Sequence, residues 1–334
     1  MNSIDAVISW VDGYDPVYQQ KLRTFCSQQG IEPRVAVEPT RIQQCNEIHY
    51  CLHALRRFAP WIRTIYIITN QQIPPTVTAL RGSTFGNKIK IIDQNELLLE
   101  CQSTSPIFNS LSVEWLMWRI KGLSNRFLYL NDDFFIIRNV TPDDFFRSNR
   151  IVLRGEWKVQ AAQKWLYQMK KQVIERIGNI ELKPKTDPHR AWQEKSAQLA
   201  GWDKHFYLLP HAPFSLIKET FEEYVAQAPE LFTENIRYPF RHPNQVSSIP
   251  LMVHLDMKHK RTVYDASYQS IMVNGAVHSF KKIKSRLDHA QNNHQVAFVC
   301  MQSIDQAPSI TQQYMLNWLQ QNIEESVALD FGLQ

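Results

Sequence analysis

Residues Arg126–Asp133 read RFLYLNDD. Phe127, Leu128, Tyr129 and Leu130 form a short apolar run with the composition of a strand buried on both faces. The run stops at Asn131, Asp132 and Asp133, and apolar residues resume at Phe134 to Ile137. Two carboxylates at the end of a buried strand are costly unless something there needs negative charge. In open α/β sheets that edge is where ligands bind. Side chains alternate along a strand, so both aspartates face one site only where the backbone turns. A Mg²⁺ ion is commonly held by one or two carboxylates, with water and phosphate oxygens in its other positions. The competing reading is a turn of solvated acids, since Asn and Asp are common turn formers.

The flanking segments predict the rest of the sheet. Ile4 to Val11, IDAVISWV, reads as a first buried strand feeding the loop Asp12-Gly13-Tyr14-Asp15-Pro16. Gly13 lets the backbone approach a ligand, and Asp12 is a candidate contact to ribose, base or metal, or a plain turn residue. Arg41 to Phe58 has helical spacing and stops before Pro60. Ile62 to Asn70 and Lys88 to Asp93 read as two more strands ending in polar residues. Ser110 to Lys121 predicts a helix capped by Asn109 or Ser110, with Glu114 in its first turn and Gly122 at its end. That helix carries Arg119 toward the two aspartates, where a guanidinium would pair with a carboxylate or grip a phosphate. The pattern implies a Rossmann-like, mostly parallel α/β sheet with helices on both faces.

Further along, Thr141 to Phe146 reads as a capped helix start, with Asp143 and Asp144 as first-turn charges. Residues 156–204 shift to Lys, Gln and Trp with helical patterning, predicting a helical insertion or lid on one catalytic domain made of residues 1–155 and 205–334. His211 lies between Pro210 and Pro213, a restrained setting for a proton-transfer group or simply a structural histidine. Phe214 to Val225 reads as an amphipathic helix. Arg241 and His242 form a second basic pair beside Pro243. Val296 to Met301 predicts a late buried strand, and Ile310 to Ile323 a closing helix.

At 334 residues, 44% hydrophobic and 21% charged, the chain has ordinary globular composition. A net charge of +5 suits an anionic substrate or a loose hold on acidic lipid and argues little for nucleic acid. Its five cysteines are scattered without metal spacing, the pattern of free thiols. No apolar run approaches bilayer length and the amino terminus lacks a signal-peptide pattern. Cytoplasmic residence is therefore expected, with room for peripheral association with the inner face of the membrane.

The segments together resemble the Stealth family of hexose-1-phosphate transferases. IDAVISWVDGYDP and NEIHYCLHALRRFAPWIRTIYIITNQQIP resemble its first conserved region, and Phe108 to Ile136 resembles its second. HAPFSLIKETFEEY with FRHPNQ is similar to the third region, and VAFVCMQSIDQ to the fourth. The resemblance implies a fold like that of GT-A glycosyltransferases. It also implies transfer of a hexose 1-phosphate, with N-acetylhexosamine as the family-based guess, from a UDP-sugar to an oligosaccharide or polysaccharide hydroxyl, releasing UMP. Position by position, it implies Asp132 and Asp133 as Mg²⁺ (or Mn²⁺) ligands and Asp133, His211, Arg119 and Arg241 as catalytic groups. Asp12, Gly13, Asn70, Asn109, Ser110, Glu114, Asn131 and His242 fall at substrate positions. His211 is the first choice of base and the carboxylate not bound to metal the second. Where many relatives carry Asn-Asp in the fourth region, this chain has Gln302 and Ser303, and Asn244 and Gln245 stand at acidic positions of the third. The resemblance also implies capsule-assembly proteins as partners. Two rival functions are a GT-A glycosyltransferase releasing UDP and a non-catalytic nucleotide-sugar-binding protein.

Overall fold

A computed structural model of the chain describes residues 3–33, 44–99, 101, 106–164 and 188–325. Its centre is a sheet built from β1 (Ile4–Ser9), β2 (Ile65–Thr69), β3 (Ile89–Asp93), β4 (Arg126–Asn131) and, far along the chain, Phe214–Ile217. β4 and β2 flank β1 in parallel, and β3 lies parallel beyond β2. Phe214–Ile217 closes the other edge antiparallel to β4. The first three strands run outward in one direction while β4 returns to the opposite side of β1. That reversal is a topological switch point, where the loops at the carboxyl ends diverge and leave a crevice. Every residue of β2 and the four central residues of β4 are buried, as two-sided cover requires.

Asp132 and Asp133 form the turn that follows β4, after which the chain enters β5 (Phe134–Ile136). β5 belongs to a different sheet, pairing antiparallel with Val296–Gln302, which in turn runs parallel to Gln269–Asn274. The acidic turn is thus the joint between two sheets. The opposite end of the large sheet is fastened by Asp5, fully buried at the start of β1. Its carboxylate accepts from Arg63 Nε at 2.8 Å and from the Ser124 backbone N–H at 2.7 Å.

Several predicted elements settle differently. The helix expected over Arg41 to Phe58 is observed over Glu47–Phe58, residues 41–43 lying outside the described chain. The Ser110 helix is α-helical only to Leu116 and tightens to 3₁₀ over Met117–Arg119 before Gly122 turns at φ +83°. Phe214–Ile217 is an edge strand rather than the start of a helix, and the helix occupies Lys218–Gln227. The strand is four residues long, and its pairing with β4 rather than any local period decides it. The expected helix start at Thr141 amounts to one 3₁₀ turn, Pro142–Asp144, with Asp144 completing a capping box. Of the stretch read as a helical insertion, Glu156–Val159 is a strand paired with His205–Leu208, and Pro188–Leu199 is helical. Residues 165–187 lie outside the described chain. The Trp157 ring packs on Trp202 and Tyr207, which holds that strand pair to the body. All five cysteines are free thiols. Among the described residues no helix is long and apolar enough to cross a membrane.

Candidate active site

The crevice at the switch point is a cavity of about 370 Å³. Its floor is the ends of β1, β2 and β4, contributing Ser9, Trp10, Asn70, Asn131, Asp132 and Asp133. Asn109 and Ser110 enter from the start of their helix, Glu47 from the first turn of another, and Arg241 from a distant loop. Gln302, the last residue of the late strand, and Ser303 and Asp305 beyond it close it, with Tyr18 and Phe108 adding aromatic wall.

The acids at its base perturb one another. Burial pushes Asp132 up to about 7, with Asp133 adding to the rise. Asp133 is also pushed up to about 7, chiefly by burial, with the Cys300 thiol opposing the rise and Glu47 adding to it. Glu47 reaches about 7 by burial and by the charge of Asp132. Asp133 is positioned twice over by the late strand: its carbonyl accepts from the Met301 N–H at 3.1 Å, and its Oδ2 lies 3.5 Å from Cys300 Sγ. The other oxygen, Oδ1, is buried without a hydrogen-bond partner among the described residues. A buried carboxylate oxygen with no donor, facing further carboxylates, is the arrangement a divalent cation relieves. Asp132 and Asp133 therefore fit a hard, oxygen-seeking ion such as Mg²⁺ or Mn²⁺.

Arg241 is the counterweight. Its guanidinium donates to Ser110 Oγ at 2.9 Å and lies over the Trp192 ring at 5.2 Å. Glu114 stands behind it, buried and pushed up to about 7 by burial, an effect the Arg241 charge opposes; Ser247 Oγ donates to it at 3.3 Å. The loop carrying Arg241 is pinned by Asn109, whose amide donates to Gln245 Oε1 at 3.0 Å and the Tyr238 carbonyl at 3.2 Å while its oxygen caps Leu111. Gln245, fully buried, donates to Ser112 Oγ and the Asn235 carbonyl at 3.0 Å each. It accepts from the His242 N–H as well. A carboxylate at that position has no donor to offer, so the glutamine is a requirement of this packing.

The structure gathers Asn70, Asn109, Ser110, Asn131, Asp132, Asp133 and Arg241 at one cavity. It does not bring the remaining candidates to that lining. The Asp12 carboxylate accepts from the Tyr14 N–H at 2.8 Å, an Asx-turn, and the Gly13 carbonyl accepts from the Gln19 side chain. Arg119 lies over the Trp118 ring at 5.3 Å. The 3₁₀ turn rotates it by roughly 60° relative to a continued α-helix. His211 stacks on His189 at 4.3 Å and meets the edge of Phe134, the residue after Asp133, at 6.3 Å. His242 stacks flat on Tyr238 at 4.3 Å, and its Nδ1 accepts from the Asn244 N–H. Glu47 escaped the sequence reading because an acid in a first helical turn is ordinarily a solvated charge complementing the helix dipole. Trp10 and Tyr18 escaped it because aromatic residues in such segments usually serve the core.

Fold and site together define an open, mostly parallel α/β protein with a crevice lined by polar residues at the switch point. Solved structures alike over the whole chain include an active-site mutant of LgtC, at TM-score 0.45 and 11% identity with 96% of each chain covered. Another is the bifunctional glycosyltransferase WbbM, at TM-score 0.44 and 9% identity, covering 97% of this chain and 50% of that one. Residues 41–153 match conserved region 2 of Stealth proteins. The match begins at residue 41, so the segment from Asn46 to Pro74 is part of region 2 and not of the first region as the resemblance had it. An exopolysaccharide phosphotransferase of Streptomyces coelicolor is 29% identical over 73% of this chain and 38% of its own length. Capsular polysaccharide phosphotransferases of Aeromonas hydrophila and Actinobacillus suis are 31% and 34% identical over 66% and 45% of this chain. Those two matches span 56% and 39% of the relatives' own lengths. The chain thus spans between about two fifths and a little over half of these curated relatives.

Proposed function

We propose that this chain is a cell-surface polysaccharide phosphotransferase that moves a hexose 1-phosphate, with an N-acetylhexosamine as the favoured hexose, from a UDP-sugar to a sugar hydroxyl. One observation carries the reading: the Asp132–Asp133 turn at the joint of two sheets opens, with Arg241 opposite, onto a cavity of about 370 Å³ at the switch point. Phosphoryl transfer asks for positioning and charge neutralisation more than for covalent chemistry. An acidic floor for a divalent ion and an arginine on the wall supply those two needs. The names of the relatives point to the same reaction class.

The acceptor hydroxyl attacks the β-phosphorus, a new O–P bond forms, and the bond from that phosphorus to the oxygen bridging to the α-phosphate breaks, releasing UMP. Arg241, held by Ser110 and stacked on Trp192, is placed to grip pyrophosphate oxygens through paired N–H donors. Trp10, Tyr18 and Phe108 offer apolar surface for the base and sugar. The hydroxyl proton passes to Glu47, the cavity carboxylate outside the Asp132–Asp133 pair, since His211 is not part of the lining. A divalent ion on Asp132 and Asp133, when bound, would offset charge on the pyrophosphate and on departing UMP. His211, beside Phe134, is a positioning residue for the acidic turn in this scheme.

The test is incubation with a panel of UDP-sugars and capsule-type oligosaccharide primers, with the nucleotide product identified and phosphorus NMR applied to the glycan. UMP together with a phosphodiester signal is the expected outcome. UDP with a plain glycosidic product, free sugar phosphate in water, or donor binding without turnover would each overturn the proposal.

A further inference from the structure

Away from the cavity, on the outer side of the same helix that begins with Glu47, His49 and His53 stand one turn apart, with ring centroids 4.4 Å from each other. The carboxylate of Glu324, from the wide helical turn Gln320–Glu325, meets His49 Nε2. One ligand atom from each of the three lies within 4.8 Å of the others. From these positions we propose that His49, His53 and Glu324 bind a Zn²⁺ ion that staples the Gln320–Glu325 turn to the Glu47–Phe58 helix.

Two imidazoles and one carboxylate form a donor set that suits zinc, and a fourth, open position is left for water. A pair of histidines four residues apart on a helix presents both rings to one point. His49 Nδ1 lies 3.1 Å from Thr76 Oγ1, so a proton there donates to the hydroxyl and leaves Nε2 its lone pair for a metal. The carboxylate is not on a loose end: Ile323 is fully buried, and Arg57 donates to the carbonyls of Asn322 and Ile323 at 3.4 and 3.5 Å. The side chains of His49 and Glu324 keep 24% and 28% exposure, enough for an ion to enter. A simple ion pair of His49 with Glu324 accounts for two of these residues and gives His53 no part.

The experiment titrates the full chain with zinc chloride against a chromophoric chelator, in millimolar Mg²⁺, and follows the melting temperature. One equivalent of Zn²⁺ is expected to survive Asp132→Ala and to be weakened at least about 100-fold, more than loss of a supporting partner costs, by His53→Ala and by Glu324→Gln. Zinc should raise the melting temperature of the parent and leave that of His53→Ala unmoved. Chelator-treated parent and His53→Ala should melt alike, which separates a lost ion from a damaged fold. The proposal is overturned if no zinc binds, if His53→Ala binds it as tightly as the parent, or if the only equivalent disappears with Asp132→Ala.

Discussion

Asp133 has one buried carboxylate oxygen without a hydrogen-bond partner among the described residues, and the other lies 3.5 Å from the Cys300 thiol. Such a group is expensive to keep for packing alone. Asp132→Ala and Asp133→Ala should each lower turnover on the order of 10³-fold or more, with an unchanged far-ultraviolet circular dichroism spectrum. Steady-state rates at saturating Mg²⁺ check this, and near-normal turnover in either variant would remove the metal assignment. Gln245 makes the opposite kind of contribution. Gln245→Glu takes away two donors and buries a carboxylate, so urea denaturation should show a loss of about 1–3 kcal/mol. At this scale the sequence announces the aspartates, because two acids after an apolar run are conspicuous. It does not announce Gln245 or Glu47, whose importance comes from being buried beside segments far away in the chain.

At the scale of an element, the helix Ser248–Lys258 is almost wholly buried and carries His254 and Asp256 inside the core. The His254 ring accepts from the Tyr207 N–H at 2.9 Å and meets the Pro250 carbonyl at 2.6 Å, and burial lowers its pKa to about 4. A base with a folded-state pKa below its unfolded value near 6.5 takes up a proton on unfolding. Its contribution to stability is therefore intact above pH 6.5 and lost progressively as the pH falls toward 4. Asp256 has the reverse slope: its carboxyl, raised to about 7 by burial, favours the folded state below the unfolded value of 3.8 and loses that advantage as the pH rises toward 7. Subtracting the stability curve of His254→Gln from that of the parent isolates the histidine. The difference should turn against the parent by roughly 3 kcal/mol between pH 6.5 and 4, a bound set by the pKa shift. A flat difference would mean that the ring is charged in the fold.

Across the whole molecule, the two ends of the large sheet do different work. Asp5 at one end is buried and fully engaged, with Arg63 and Ser124 as donors, whereas the acids at the other end repel one another across a cavity. Asp5→Ala should destabilise by about 2–3 kcal/mol yet leave turnover unchanged well below the melting temperature. Asp133→Asn should do the converse, stopping turnover while thermal unfolding stays the same or rises. Calorimetry paired with a rate assay distinguishes these outcomes, and a joint loss in both variants would deny the division. Local patterning was enough to mark β1 to β4, the acidic turn and the late strand, because apolar runs that end in polar residues describe a buried parallel sheet without reference to distant partners. Which polar side chains share a cavity was decided only in three dimensions. Arg241 reaches the site across more than a hundred residues of chain, Asp12 spends its carboxylate on its own turn, and a tightened helical turn carries Arg119 elsewhere. Strand character is a property of short windows, since burial and backbone pairing act residue by residue. Convergence of charges depends on where separate loops leave the sheet, and that is fixed by topology and packing.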